Sequence, residues 1–112
     1  MRLLYESTLY EKYTIMIGQN KTDNDLLITK FGNTDFIWLH LKAYSSCHVV
    51  ILDNSPPHNV LLSAATACKE NTKYRHLKNL KVSYTKYNNV QKTHILGSVN
   101  FKSNRQVHEL KL

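Results

Sequence analysis

The chain has 112 residues and a mass of 13.0 kDa, which allows one domain and excludes two domains with separate hydrophobic cores. Its hydrophobic fraction of 42% and charged fraction of 21% are typical of a globular protein and exclude an intrinsically disordered one. Its apolar runs are too short to cross a bilayer, and residues 1–6 lack the apolar stretch of a signal peptide. We therefore expect one cytoplasmic domain over residues 1–112, with no membrane association.

The positive charge is concentrated in the second part of the sequence. Residues 1–68 carry a formal charge of −1, whereas residues 69–112 carry +8, and together they give the +7 of the whole chain. A segment with this charge attracts polyanions. The sequence therefore favours a nucleic acid as partner, with a basic surface that only maintains solubility as the alternative.

The first predicted elements are a strand and a short helix. Residues 10–18 are rich in aromatic and β-branched side chains and predict a strand that ends at a glycine. After a turn, Thr22 or Asp23 is expected to cap a helix that continues to about Phe31. The glycine at position 32 closes this helix.

Residues 35–42 predict a second strand whose two faces differ in chemistry. One face carries only aliphatic side chains, namely Ile37, Leu39 and Leu41. The other face carries aromatic, imidazole and ammonium groups, namely Phe36, Trp38, His40 and Lys42. We expect the aliphatic face to be buried in the core.

The remaining pattern predicts a third strand over residues 47–52, a helix from Pro57 to about Lys73 and a fourth strand over residues 80–85. One or two further strands follow, over residues 98–102 and 106–112, with a possible hairpin turn at 103–105. The order β-α-β-β-α-β-β predicts an α+β fold with a mixed or mostly antiparallel sheet and two helices.

The sequence does not contain the motif of an enzyme, a metal site or a cofactor site. The six histidines lack the spacing of metal ligands, and there is no phosphate-binding glycine loop or nucleophile elbow. Cys47 and His48 are neighbours on a predicted strand, so their side chains point to opposite faces and cannot act as nucleophile and base. We expect no enzyme, metal or cofactor, and we expect Cys47 and Cys68 to be small buried thiols.

Amide, hydroxyl, imidazole and basic side chains recur at the ends of the predicted elements. Groups of this kind contact phosphates and bases in RNA-binding proteins, although Asn and Ser are also common turn formers. In this interpretation the basic residues neutralise phosphates, and the histidines and amides make directional contacts. The candidate nucleic-acid-binding residues are Gln19, Asn20, Asn24, Asp25, His40, Lys42, Ser46, His48, Lys86, Asn89, Lys92, Lys102 and Arg105.

Four segments, taken in order and spacing, resemble the NFACT-R domain family. Residues 18–27 resemble its GxNxxxND-L segment, and residues 35–49 resemble its DxWFH and SHV core. Residues 84–93 resemble its YTxxxNVxK segment, and residues 97–101 resemble its closing GxVxF strand. The resemblance covers nearly the whole chain, and the segments around Ser45-Ser46 and Lys92-Thr93 look closest to the stand-alone eukaryotic members.

The resemblance implies a non-enzymatic RNA-binding module that works around the translation apparatus. In the large members of the family this domain accompanies binding to the large ribosomal subunit and tRNA in ribosome quality control. The expected partners are therefore rRNA or tRNA and the large ribosomal subunit. The stand-alone members carry a charged helical tail after the domain, and we expect functions of that coiled coil to be missing here. The alternatives are a protein-interaction subunit whose basic face binds an acidic partner, and a hydrolase that uses the paired histidines.

Overall fold

The computed structural model describes residues 1–112, and it contains two α-helices and eight β-strands. The helices are α1 (Lys21–Phe31) and α2 (His58–Glu70). The strands are β1 (Arg2–Ser7), β2 (Lys12–Ile17), β3 (Ile37–Leu41), β4 (Val49–Ile51), β5 (Lys81–Lys86), β6 (Val90–Lys92), β7 (Val99–Phe101) and β8 (His108–Lys111). Single 3₁₀ turns lie at Tyr87–Asn89 and Asn104–Gln106. Neither helix has the length and apolar character that spanning a bilayer requires.

Six strands form one sheet in the order β1-β2-β4-β3-β5-β8, and every neighbouring pair is antiparallel. The other two strands, β6 and β7, pair with each other as a separate two-stranded sheet. Helix α2 packs on one face of the large sheet, while α1 and the small sheet cover part of the opposite face. We call these the α2 face and the α1 face.

The alternation of β3 assigns its side chains to the two faces. Ile37, Leu39 and Leu41 lie in the core between the sheet and α2, as the sequence predicts. Trp38 points to the other face, where it packs with buried residues of α1, including Phe31. The sheet therefore has a core on each side, and both faces of β3 are buried at this point.

The structure confirms the α+β class with a sheet that is antiparallel throughout, and it corrects several details. Strands β1 and β6 are absent from the predicted order. Helix α1 begins at Lys21 with Asn20 as its N-cap, so the prediction of Thr22 or Asp23 as the cap is wrong. Helix α2 ends at Glu70 rather than near residue 73. The turn at residues 103–105 does not form a hairpin, because β7 pairs with β6 and β8 pairs with β5.

Candidate nucleic-acid interface

Four of the candidate residues line one cleft of about 500 Å³ at the end of the sheet where β2 ends and β4 begins. The walls come from the start of α1, the loop before β4 and the segment after α2. We call it the polar cleft, and its polar side chains belong to Gln19, Asn20, Lys21, Asn24, Ser45, Ser46, Asn71, Thr72 and Lys73. No carboxylate side chain lines the cleft. Lys21 and Lys73 were not selected from the sequence, because only the fold brings the start of α1 and the segment after α2 together.

The first wall of the cleft is fixed by the cap of α1. Asn20 accepts a hydrogen bond through its Oδ1 from the backbone N–H of Asp23 at 2.8 Å. Asp23 accepts in turn from the backbone N–H of Gln19 at 3.0 Å and lies 3.2 Å from the terminal amine of Met1. The hydrogen bond from Gln19 is the main reason why the pKa of the Asp23 carboxyl is lowered. The Nδ2 group of Asn20 has no partner inside the protein, so it is free to donate to a ligand in the cleft.

The buried walls of the cleft rest on two side chains that were expected to contact RNA. Asn24 is only 8% exposed, and its Oδ1 accepts the backbone N–H of His48 at 3.0 Å. A Cβ at position 18 would lie 2.3 Å from that oxygen, which explains the glycine there. Ser46 accepts the backbone N–H of Leu41 at 3.1 Å and donates to the Cys47 carbonyl at 3.1 Å. Through these hydrogen bonds the two side chains tie α1 and β3 to the start of β4.

Beside the cleft, on the α1 face, four rings form an aromatic-histidine cluster of Trp38, His40, His48 and Phe101. His40 lies parallel to Trp38 with ring centroids 5.6 Å apart, and His48 meets Trp38 edge-on at 5.3 Å. Phe101 of the small sheet contacts the indole at 5.4 Å. The two imidazoles lie 5.3 Å apart, which confirms the prediction that they face each other across neighbouring strands.

Both histidines of this cluster are neutral at neutral pH. Burial is the main cause that lowers the pKa of His40, and burial, followed by repulsion between the two imidazoles when both are protonated, lowers the pKa of His48 to about 3. The Nδ1 atom of His40 lies 2.6 Å from the Leu41 carbonyl. Because a carbonyl can only accept, Nδ1 carries the proton and the Nε2 of neutral His40 is an acceptor.

The same cluster contains polar atoms that the protein leaves without partners. Trp38 and His48 are each 2% exposed, yet the indole Nε1 and the imidazole Nδ1 form no hydrogen bond. A buried polar atom without a partner costs about 1–3 kcal/mol. The unpartnered atoms therefore reduce the stability of the α1 face.

The other candidate residues lie outside the polar cleft and the aromatic-histidine cluster. Asp25 pairs with Lys92 at 3.0 Å, which ties α1 to β6. Lys42 forms an ion pair with Glu109 across the α1 face, and this pair lowers the pKa of that carboxyl. Lys102 lines a shallow pocket with Lys92 beside the end of α1. The remaining candidates, at the end of the sheet opposite the polar cleft, are Lys86, Asn89 and Arg105.

Asn89 is 2% exposed, and its side chain is fully used inside the protein. Its Nδ2 donates to Ser103 and Thr85, and its Oδ1 accepts the backbone N–H of Ser103 at 2.8 Å. The amide therefore anchors the segment that carries Arg105. Across the whole structure, no three His, Cys, Asp or Glu side chains come together as a metal site. Cys47 and Cys68 are free and buried, as expected.

Comparison with known proteins identifies the family of the chain. The sequence profile described as NFACT protein RNA binding domain matches residues 2–103. The Rqc2 homolog RqcH of Bacillus subtilis is 36% identical over 88 residues, which are 79% of this chain and 15% of that protein. Protein JLP2 of Saccharomyces cerevisiae is 30% identical over an alignment of 125 positions, which covers 98% of this chain and 60% of that protein. The chain thus spans less than two thirds of these relatives.

A solved structure agrees with this assignment. The C-terminal part of the fibronectin/fibrinogen-binding protein from Streptococcus suis superposes with a TM-score of 0.82 and 25% sequence identity. The match covers 96% of this chain and 43% of that chain. The profile match extends over nearly all of the residues that form the two-faced sheet and the polar cleft. The chain belongs to the family of NFACT protein RNA-binding domains.

Proposed function

We propose that this chain is a non-enzymatic RNA-binding module that acts at the ribosome in the cytoplasm. The main support for the proposal is that most basic side chains in residues 69–112 form no ion pair. Of the ten Lys and Arg side chains in this segment, Lys92 alone forms an ion pair. The others remain free to neutralise phosphates, which supply most of the affinity of proteins for nucleic acids.

The polar cleft suits the backbone of RNA. Its two ammonium groups, Lys21 and Lys73, attract phosphates, and its amide and hydroxyl groups hydrogen-bond phosphate and ribose oxygens. The aromatic-histidine cluster lies next to it, linked through the hydrogen bond between Asn24 and the His48 backbone. The Nε2 acceptor of partly exposed His40 is the group that we assign to a directional contact with the RNA.

The cleft is tested by measuring binding of a fluorescein-labelled RNA hairpin to a double variant, Lys21→Ala with Lys73→Ala. We expect the affinity to fall for every RNA sequence, and the salt dependence, as the slope of log K against log salt, to weaken by about two. The matched control, Lys12→Ala with Lys30→Ala, removes the same charge outside the cleft and outside residues 69–112 and should keep the steeper slope. Equal slopes in the two double variants would contradict the assignment of the cleft.

The proposed place of action is the large ribosomal subunit, which the family resemblance supports. The test is sedimentation of a cell lysate through sucrose gradients at low and moderate salt, with and without ribonuclease. We expect the protein to migrate with the large subunit and to leave it as the salt concentration rises. A position at the top of the gradient in every condition contradicts ribosome association. Saturable binding to a protein that survives nuclease treatment would favour the alternative, an acidic protein partner.

A further inference from the structure

A second cavity lies at the end of the sheet opposite the polar cleft, on the α2 face. This groove has a volume of about 610 Å³. Its floor consists of strand residues that share that face by register, because Ile37 pairs with Lys86 and Tyr84 pairs with His108. The loop before α2 and the first turn of α2 form one wall, and the 3₁₀ turn at residues 104–106 forms the other.

The floor of the groove offers a surface for an aromatic ring. Tyr84 and His108 lie with their ring centroids 5.4 Å apart and their planes 36° apart. Tyr84 is half-buried, and apolar Ile37 and Leu61 continue the surface. Nucleobases stack on such aromatic side chains in proteins that bind single strands.

The rim of the groove is positive. Lys86 and Arg105 are exposed, line the groove and form no ion pair. No carboxylate is among the lining side chains. Asp35 and Asp53 lie behind the groove wall and bond to it, since Asp35 accepts from the Asn54 amide at 3.1 Å and Asp53 accepts the Ser55 backbone N–H at 2.8 Å.

The backbone that carries Arg105 is held in place by hydrogen bonds at both ends of its turn. Asn89 bonds both backbone groups of Ser103, and Thr85 Oγ1 donates to the carbonyl of Gln106 at 2.8 Å. The guanidinium-bearing segment is therefore fixed against β5, beside the rings. A stacking surface beside a cation whose backbone is fixed matches the two halves of a nucleotide, its base and its phosphate.

We propose that this groove binds one unpaired nucleotide of an RNA strand, with the base on Tyr84 and His108 and the phosphate on Arg105 and Lys86. The proposal rests on the proposed RNA-binding function and adds a preference for single strands. A duplex keeps its bases stacked and paired, so it reaches the cations but not the rings.

The test compares a fluorescein-labelled single-stranded eight-nucleotide oligouridylate with an RNA duplex of the same length. The variant is Tyr84→Leu with His108→Ala, in which leucine keeps the packing against the core. We expect its affinity for the single strand to fall about tenfold while its affinity for the duplex stays within about twofold. The matched control, Tyr10→Leu with His94→Ala, removes an exposed tyrosine and an exposed histidine outside the groove and should bind both RNAs like the wild type.

Two further variants separate the loss of the rings from a failure of the double variant to fold. Tyr84→Phe retains the ring and should restore single-strand binding, and His108→Ala alone carries the test if the leucine variant fails to fold. An equal loss for single strand and duplex, or no loss for either, overturns the groove assignment while the proposed RNA function stands. If the wild type binds neither RNA at low salt, the proposed function itself is contradicted, and the groove assignment falls with it.

Discussion

The two faces of the six-stranded sheet are buried by different chemistry. The α2 face packs a core of 15 buried residues, all aliphatic apart from the two thiols. The α1 face packs only seven, and two of these are Trp38 and Tyr87. The three buried side-chain polar atoms without a partner, on Trp38, His48 and Tyr87, all lie on this second side. The α2 face therefore provides the larger share of the apolar stabilisation, and the α1 face loses part of its own to buried polar atoms without partners.

The largest expected effect is on the free energy of unfolding when the α2 face is truncated. Leu39 is fully buried, so Leu39→Ala removes apolar contacts and leaves a cavity, at a cost of about 2–5 kcal/mol. Urea unfolding measures this difference. The control is Leu26→Ala, which shortens a leucine that is 54% exposed on α1 and should change stability by no more than about 0.5 kcal/mol. Similar losses in the two variants would contradict the claim that the buried α2 core stabilises the fold.

The next effect is a dependence of stability on pH that comes from the α1 face. Unfolded His48 takes up a proton near its ordinary pKa, whereas in the folded protein its pKa is about 3. Its contribution to stability is therefore complete above about pH 6.5 and is lost as the pH falls, by about 1.4 kcal/mol per unit. His40 acts in the same direction.

Urea unfolding at pH 7, 6 and 5 measures this slope above the range in which carboxylates titrate. His48→Gln should flatten the slope even if it lowers the stability at every pH. His94→Gln, which changes an exposed histidine, should leave the slope as in the wild type. An unchanged slope in His48→Gln would show that this imidazole is not the group that titrates.

The smallest of the three effects concerns the Tyr87 hydroxyl, which is buried without a partner. Burial raises the pKa of this phenol, so the hydroxyl stays protonated at neutral pH. Tyr87→Phe removes the unpaired group and keeps the ring, so we expect the protein to become more stable by about 1 kcal/mol in thermal or urea unfolding. Tyr10→Phe, at a tyrosine that is 89% exposed, should have no effect. A destabilised Tyr87→Phe variant would contradict the claim that the hydroxyl lacks a partner.

The sequence was sufficient for the elements whose apolar residues alternate or recur with a clear period. The faces of β3 and the helix from position 58 follow directly from their patterns. Strand β1 was not predicted because its apolar residues do not mark one buried face. Leu3 and Tyr5 point outward and are 47% and 50% exposed. Strand β6 has only three residues, too few for a period.

The sequence predicted the kinds of chemical group that form the site better than it predicted their positions. The sequence indicated two facing histidines, and the fold places them 5.3 Å apart. It did not show that Asn24 and Asn89 use their amides inside the protein, because a buried amide and an exposed one look the same in one sequence. It also missed Lys21, at the start of α1, and Lys73, in the segment after α2, because only the fold brings these two residues to one cleft.

The most direct test of the central claim is the salt dependence of RNA binding by the wild-type chain. Fluorescence anisotropy with a labelled RNA would follow the affinity between about 50 and 200 mM salt. If four to six phosphates are neutralised by the free cations of residues 69–112, log K falls against log salt with a slope of about −3 to −5. An affinity that does not change with salt, or no binding at the lowest salt concentration, would contradict RNA binding through these cations.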